Sequence, residues 1–159
     1  MPTAIKSDKI DLSSEKKTEE LAGKFLKKIK PGCFVFLYGE IGVGKTTFVR
    51  FLINSLQEKF SQKITEIPSP TFNLVHEYKI KDFTVMHYDL YRLINASEIE
   101  NIGLFENDKN TILFVEWPKI IEKKPQKIIE LYFNYEENLN KRSLIISTDY
   151  KKKLINEFR

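Results

Sequence analysis

The sequence predicts an α/β fold: a three-layer sandwich with a mixed, partly parallel central sheet and antiparallel hairpins. Three observations predict it. Residues 33–38 and 112–115 are unbroken apolar runs of the kind that suits strands covered on both faces. The first run leads into a glycine-rich turn, and Phe48, Val49, Leu52, Ile53 and Leu56 then recur at helical spacing. Farther on, residues 72–80 alternate apolar and polar side chains, as a half-buried strand does.

The turn itself, Gly39-Glu40-Ile41-Gly42-Val43-Gly44-Lys45-Thr46-Thr47, fits the pattern Gly-x-x-x-x-Gly-Lys-[Ser/Thr] of a phosphate-cradling loop. The expected fold is therefore P-loop NTPase-like. Strand, loop and helix follow in the order that aims free N–H groups and the positive end of a helix dipole at an anion. Glycines at 39, 42 and 44 allow the backbone to approach phosphates closely. Lys45 supplies an ammonium for the β- and γ-phosphates, and Thr46 a hydroxyl for Mg²⁺. Thr47, the last residue of the expected nucleotide-binding stretch, satisfies the helix start.

Taken in order, residues 1–12 read as an N-terminal arm ending in a short strand. Ser13 or Ser14 caps a helix with Leu21, Ala22, Phe25, Leu26 and Ile29 on one stripe, and Lys30-Pro31-Gly32 stops it. The loop strand and its helix run to about Phe60. Pro68 and Pro70 around Ser69 make a stiff exposed loop before Thr71. Residues 72–80 and 83–88 form a hairpin about Lys81-Asp82, which sets His76 opposite His87 and Leu74 opposite Asp89. Both imidazoles read as structural, because two histidines without a nearby third ligand make a poor metal site. A helix starts near residues 95–97, with Glu98 at capping distance from Asn95, and closes around Gly103. The second apolar run delivers Glu116-Trp117-Pro118 at its end. Residues 128–135 and 143–147 form a closing hairpin, and residues 150–158 a short basic helix.

An ATP-hydrolysing site needs a group that holds Mg²⁺ and its waters and one that orients or deprotonates the attacking water. Asp89 and Glu116 stand at strand ends, where α/β sheets bind ligands. The more apolar strand precedes Glu116, so Glu116 is expected to face the metal, and Asp89 to act in its outer shell or on the water. Thr71 either places its hydroxyl near Mg²⁺ or the γ-phosphate or is a simple turn hydroxyl. Arg92 reaches the phosphates or pairs with a neighbouring acid. Trp117 walls the site, meets a partner or packs in the core.

A chain of 159 residues with 42% hydrophobic and 13% aromatic content is the size of one domain with a substantial core. Residues 1–8 lack the apolar core of a signal peptide, and no run approaches membrane-spanning length, so a cytoplasmic protein without a membrane partner is expected. Cys33, the single cysteine, reads as packing. The net charge of +4 is a thin signal for nucleic acid, because 22 acidic residues are interspersed with 26 basic ones. The lysine clusters at 123–127 and 151–153 read as solvated faces.

In order and spacing, Gly39–Thr47, Ser69-Pro70-Thr71-Phe72, His87-Tyr88-Asp89-Leu90-Tyr91-Arg92-Leu93 and Val115-Glu116-Trp117-Pro118 resemble the TsaE family, also called YjeE. The resemblance spans roughly residues 10–147. It implies a small bacterial ATPase that works with TsaB and TsaD in making threonylcarbamoyladenosine beside the anticodon of certain tRNAs, the tRNA being met through the complex. By position, it implies that Lys45 and Thr46 bind phosphate and Mg²⁺, that Glu116 binds the metal, and that hydrolysis requires Asp89. It also makes Thr18 a residue near the nucleotide. Tyr88 departs from the Phe that the family often has there. The competing expectation is a kinase of a small metabolite. Such kinases usually bring an arginine-bearing lid over the phosphates, whereas Arg50, Arg92, Arg142 and Arg159 do not cluster in the sequence. A GTPase is disfavoured because no Asn-Lys-x-Asp element is present.

Overall fold

The computed structural model describes residues 3–106 and 109–158. Met1, Pro2, Asn107, Asp108 and Arg159 lie outside the described residues, and with them the start of the expected arm and one of the four arginines. The arm contains two short strands, β1 (Ile5–Lys6) and β2 (Ile10–Asp11). Helix α1 (Glu15–Leu26) begins at Ser14, whose Oγ accepts the Lys17 N–H at 3.3 Å. It ends earlier than its apolar stripe suggests: Ile29 is buried from the turn that follows.

Strand β3 (Phe34–Tyr38) feeds the glycine turn and α2 (Lys45–Lys59). The hairpin β4 (Val75–Ile80) and β5 (Phe83–Asp89) has the expected register, with His76 opposite His87. Its first strand is shorter than the alternation predicts. Leu74 takes a left-handed φ of 64°, so Phe72 and Asn73 leave the ladder, although the Leu74 carbonyl still accepts the Asp89 N–H at 2.9 Å. Helix α3 (Ser97–Asn101) follows, and Glu98 accepts the N–H groups of Ile94 and Asn95, each at 2.8 Å. The chain then forms β6 (Thr111–Glu116), β7 (Ile128–Tyr135), β8 (Arg142–Thr148) and α4 (Lys152–Asn156).

These strands make one eight-stranded sheet in the order β1-β8-β7-β3-β6-β5-β4, with β2 also on β8. The centre, β7-β3-β6-β5, is parallel, and antiparallel pairs close both sides. Every residue of β6 is buried because both faces are covered. One face carries a cluster with Phe25, Phe48, Leu52, Phe114 and Leu144, built with α1, α2 and α4. The other gathers Phe36, Tyr88 and Val115 with Ile99, Leu104 and Ile121 from the connections. The mixed α/β sandwich expected from the sequence is thus observed. Among the described residues, no helix is long and apolar enough to cross a membrane.

Phe48 anchors the helix that follows the glycine turn. Fully buried, it meets Phe25 of α1 and Phe133 of β7 edge-on, each at 5.7 Å between ring centroids. Phe48→Ala is expected to lower stability by about 3–5 kcal/mol, measured as a shift of the urea midpoint.

Candidate functional site

Local sequence shapes the loop first. Gly39 has φ 145°, and a Cβ there would lie 2.7 Å from the Phe133 carbonyl oxygen, so only glycine fits between β3 and β7. Gly44, at φ 113°, opens α2 without a side-chain cap, leaving the first N–H groups of the helix for a ligand. The Lys45 ammonium folds back over the loop. It donates to the carbonyls of Gly39 at 2.6 Å and Glu40 at 2.9 Å, and lies 4.0 Å from the centroid of the Trp117 ring. Burial holds this ammonium below the ordinary lysine range, and the Glu116 and Asp89 carboxylates oppose that shift.

The sheet supplies the acids. Parallel pairing of β5 and β6 sets Asp89 beside Glu116 at their C-terminal ends, so both side chains emerge on the α2 face. Both are 2% exposed. Glu116 Oε1 accepts the Thr46 hydroxyl at 2.8 Å and stands 2.8 Å from His87 Nε2. Asp89 is held from the other side: Oδ2 accepts the Thr71 hydroxyl at 2.7 Å and Oδ1 the Tyr91 N–H at 2.9 Å. Ser69 Oγ lies 2.7 Å from Thr71 Oγ1, so the proline-flanked loop braces Thr71 against Asp89. Trp117 takes a left-handed φ of 57°, a strained conformation for a bulky residue, and in that conformation its indole faces Lys45. Tyr91 packs on it at 4.9 Å.

Lys45, Thr46, Thr71, Asp89, Glu116 and Trp117 therefore line one cleft, together with Gly42, Gly44 and Thr47 of the loop. Gly39 and Glu40 line the adjoining cleft on the far side of Trp117, and Ile41 borders both. Val43 is buried and borders a third cleft with Thr18, reached past Gly44 and Thr47. Trp117 fills both roles open to it within the chain: it walls the cleft and packs, half-buried, against the cluster of Phe36, Tyr88 and Val115.

Arg92 does not line the cleft, and among the described residues no acid pairs with it. Its guanidinium donates to the Phe72 carbonyl at 3.3 Å and stacks over the Phe72 ring at 5.6 Å. Two site residues escape sequence reasoning. Arg142 opens β8 one residue before the expected strand, borders both the main cleft and the Thr18 cleft, and comes near Gly44. Its phase is the available signal, since it shares a face of the strand with the buried Leu144 and Ile146. His87, expected to be structural, is in direct contact with Glu116.

A hydroxyl and a carboxylate that converge beside the glycine-rich turn form an oxygen donor set of the type hard divalent cations take. The family model described as "Threonylcarbamoyl adenosine biosynthesis protein TsaE" matches residues 12–144. The chain belongs to the TsaE family. Among its relatives, a Rickettsia conorii protein named "tRNA threonylcarbamoyladenosine biosynthesis protein TsaE" is 39% identical over 88% of this chain and 78% of its own length. The protein of the same name from Aquifex aeolicus is 36% identical, covering 82% of this chain and 90% of its own. A solved structure described as "Crystal structure of Bacillus subtilus YdiB" superposes with a TM-score of 0.71 over 99% of this chain and 95% of that one. At 21% identity, that likeness speaks for the fold. The stretch matched by the TsaE model leaves out β1 and β2 at one end and, at the other, β8 beyond Leu144 and α4.

Proposed function

We propose that this TsaE-family protein binds Mg-ATP in the cleft between the glycine turn and the ends of β5 and β6. There it hydrolyses ATP slowly alone and faster when docked on TsaB and TsaD. The observation that carries the reading is the convergence of Lys45, Thr46, Asp89 and Glu116, drawn from three separate segments, on that one cleft. Family membership supplies the process, threonylcarbamoyladenosine biosynthesis, and the relatives' printed name supplies its tRNA context. The tRNA is then met through the complex, in the cytoplasm.

Each side chain has a role that its present contacts support. Lys45 exchanges the Gly39 and Glu40 carbonyls for the β- and γ-phosphates, a stronger pairing of charge with charge. Thr46 and Glu116 fit Mg²⁺ as an oxygen pair, and the ion, when bound, neutralises charge on the phosphates. Asp89, fixed by Thr71 and the Tyr91 N–H, orients the attacking water, whose oxygen bonds the γ-phosphorus as the bond to ADP breaks. Gly39 to Thr47 cradle the phosphates, and the Thr18 cleft adjoins them for the nucleoside. Phosphate release measured with the purified chain alone and with TsaB and TsaD added tests the reading. A severalfold rise is expected, and no rise at saturating partner would overturn the gating.

A further inference from the structure

We infer that His87 is the residue that positions Glu116, and through it the Thr46 hydroxyl, for a divalent cation. The inference rests on the Mg-ATP reading of the cleft and adds to it a residue whose whole polar function is directed at the metal end. His87 lies on β5 two residues before Asp89, so its side chain is on the same face of the sheet as Asp89 and Glu116. It is fully buried, a costly place for an imidazole unless its nitrogens are satisfied. One nitrogen is: Nε2 stands 2.8 Å from Glu116 Oε1. The other, Nδ1, is buried and has no hydrogen-bond partner among the described residues. His76, directly opposite in the hairpin, turns instead to Asn73, with 3.2 Å between His76 Nε2 and the Asn73 amide nitrogen. A histidine kept for the fold would be expected to anchor both nitrogens to it. This one gives its single hydrogen bond to a site carboxylate.

The chemistry of the contact follows from donors and acceptors. A carboxylate only accepts, so His87 Nε2 carries the hydrogen and donates. The same Oε1 accepts the Thr46 hydroxyl at 2.8 Å, which uses the one hydrogen that threonine has. Glu116 Oε1 is thus bracketed by a donor from β5 on one side and one from α2 on the other. With its hydrogen committed to Glu116, the Thr46 oxygen can offer a cation only lone pairs, which is the orientation that a magnesium ligand needs. If the His87 donor is lost, Glu116 can rotate, and the Thr46 hydroxyl loses the acceptor that fixes it. The relation parallels outer-shell partners of metal ligands, whose removal typically costs about 10- to 100-fold in metal affinity.

The test is ATP binding by calorimetry, in EDTA and across a Mg²⁺ titration, for the full chain and for His87→Gln, His87→Asn and His87→Leu, with thermal unfolding run alongside. The glutamine amide can donate from about the position of Nε2, whereas the shorter asparagine cannot reach Glu116, and leucine has no donor. His87→Leu and His87→Asn are expected to keep the affinity for ATP in EDTA but to need about 10- to 100-fold more Mg²⁺ for the metal-dependent gain. His87→Gln is expected to recover most of that response. Equal Mg²⁺ responses for Gln and Asn would overturn the inference even if the leucine variant failed to fold, and so would a leucine variant with the wild-type response. A wild-type chain whose ATP affinity ignores Mg²⁺ would overturn the Mg-ATP reading itself, an outcome distinct from a responsive wild type with unaffected variants.

Discussion

Lys45→Ala is expected to weaken ATP binding by about 2–3 kcal/mol, roughly 30- to 150-fold, measured by calorimetric titration. The size follows from what the Mg-ATP reading has the variant remove: a charge-assisted pairing with phosphate, in a cleft that already desolvates the ammonium. The fold should tolerate the change. Only the Gly39 and Glu40 carbonyls lose a donor, and both border a cleft that admits water. An unchanged affinity in a folded variant would mean that the loop does not cradle phosphate.

The second large effect falls on turnover. Asp89→Ala is expected to leave ATP affinity within a few-fold and to reduce phosphate release by about 10²- to 10⁴-fold, the usual contribution of a group that handles the proton or positions the water. Alanine also strips acceptors from Thr71 and the Tyr91 N–H, so some loss of stability accompanies it, about 1–3 kcal/mol. Asp89→Asn separates the two effects, since it keeps an acceptor oxygen and loses the charge. Single-turnover phosphate release is the measurement. Persisting turnover in either variant would make Asp89 a brace for the proline-flanked loop and nothing more.

Much of this site was legible because its parts are local. The glycine-rich turn is nine consecutive residues, the apolar run before Glu116 announces a buried strand by composition, and the strand before Asp89 follows from the alternation of residues 72–80 and the turn at Lys81-Asp82. Non-local geometry was not legible. β7 follows β6 in the chain but pairs with β3 on the side away from β6, an order that periodicity cannot reveal. The same holds for His87 and Glu116, 29 residues apart: alternation set His76 opposite His87 correctly, but the decisive contact runs to the parallel strand on the other side. Arg142 lies a single residue outside the strand that the sequence predicts, and a guanidinium there reads as surface although it is in phase with Leu144. Alternation extends the strand to Phe72 because it sees side chains and not the left-handed turn at Leu74. In the structure it is 84% exposed under the Arg92 guanidinium.

Whether Mg-ATP occupies this cleft is tested most directly by the emission of Trp117, the sole tryptophan, whose ring centroid lies 4.0 Å from the Lys45 ammonium. Titration with Mg-ATP is expected to change that emission saturably at one equivalent per chain, as the ammonium leaves the indole for phosphate. Emission that stays constant while calorimetry registers bound ATP would contradict the placement.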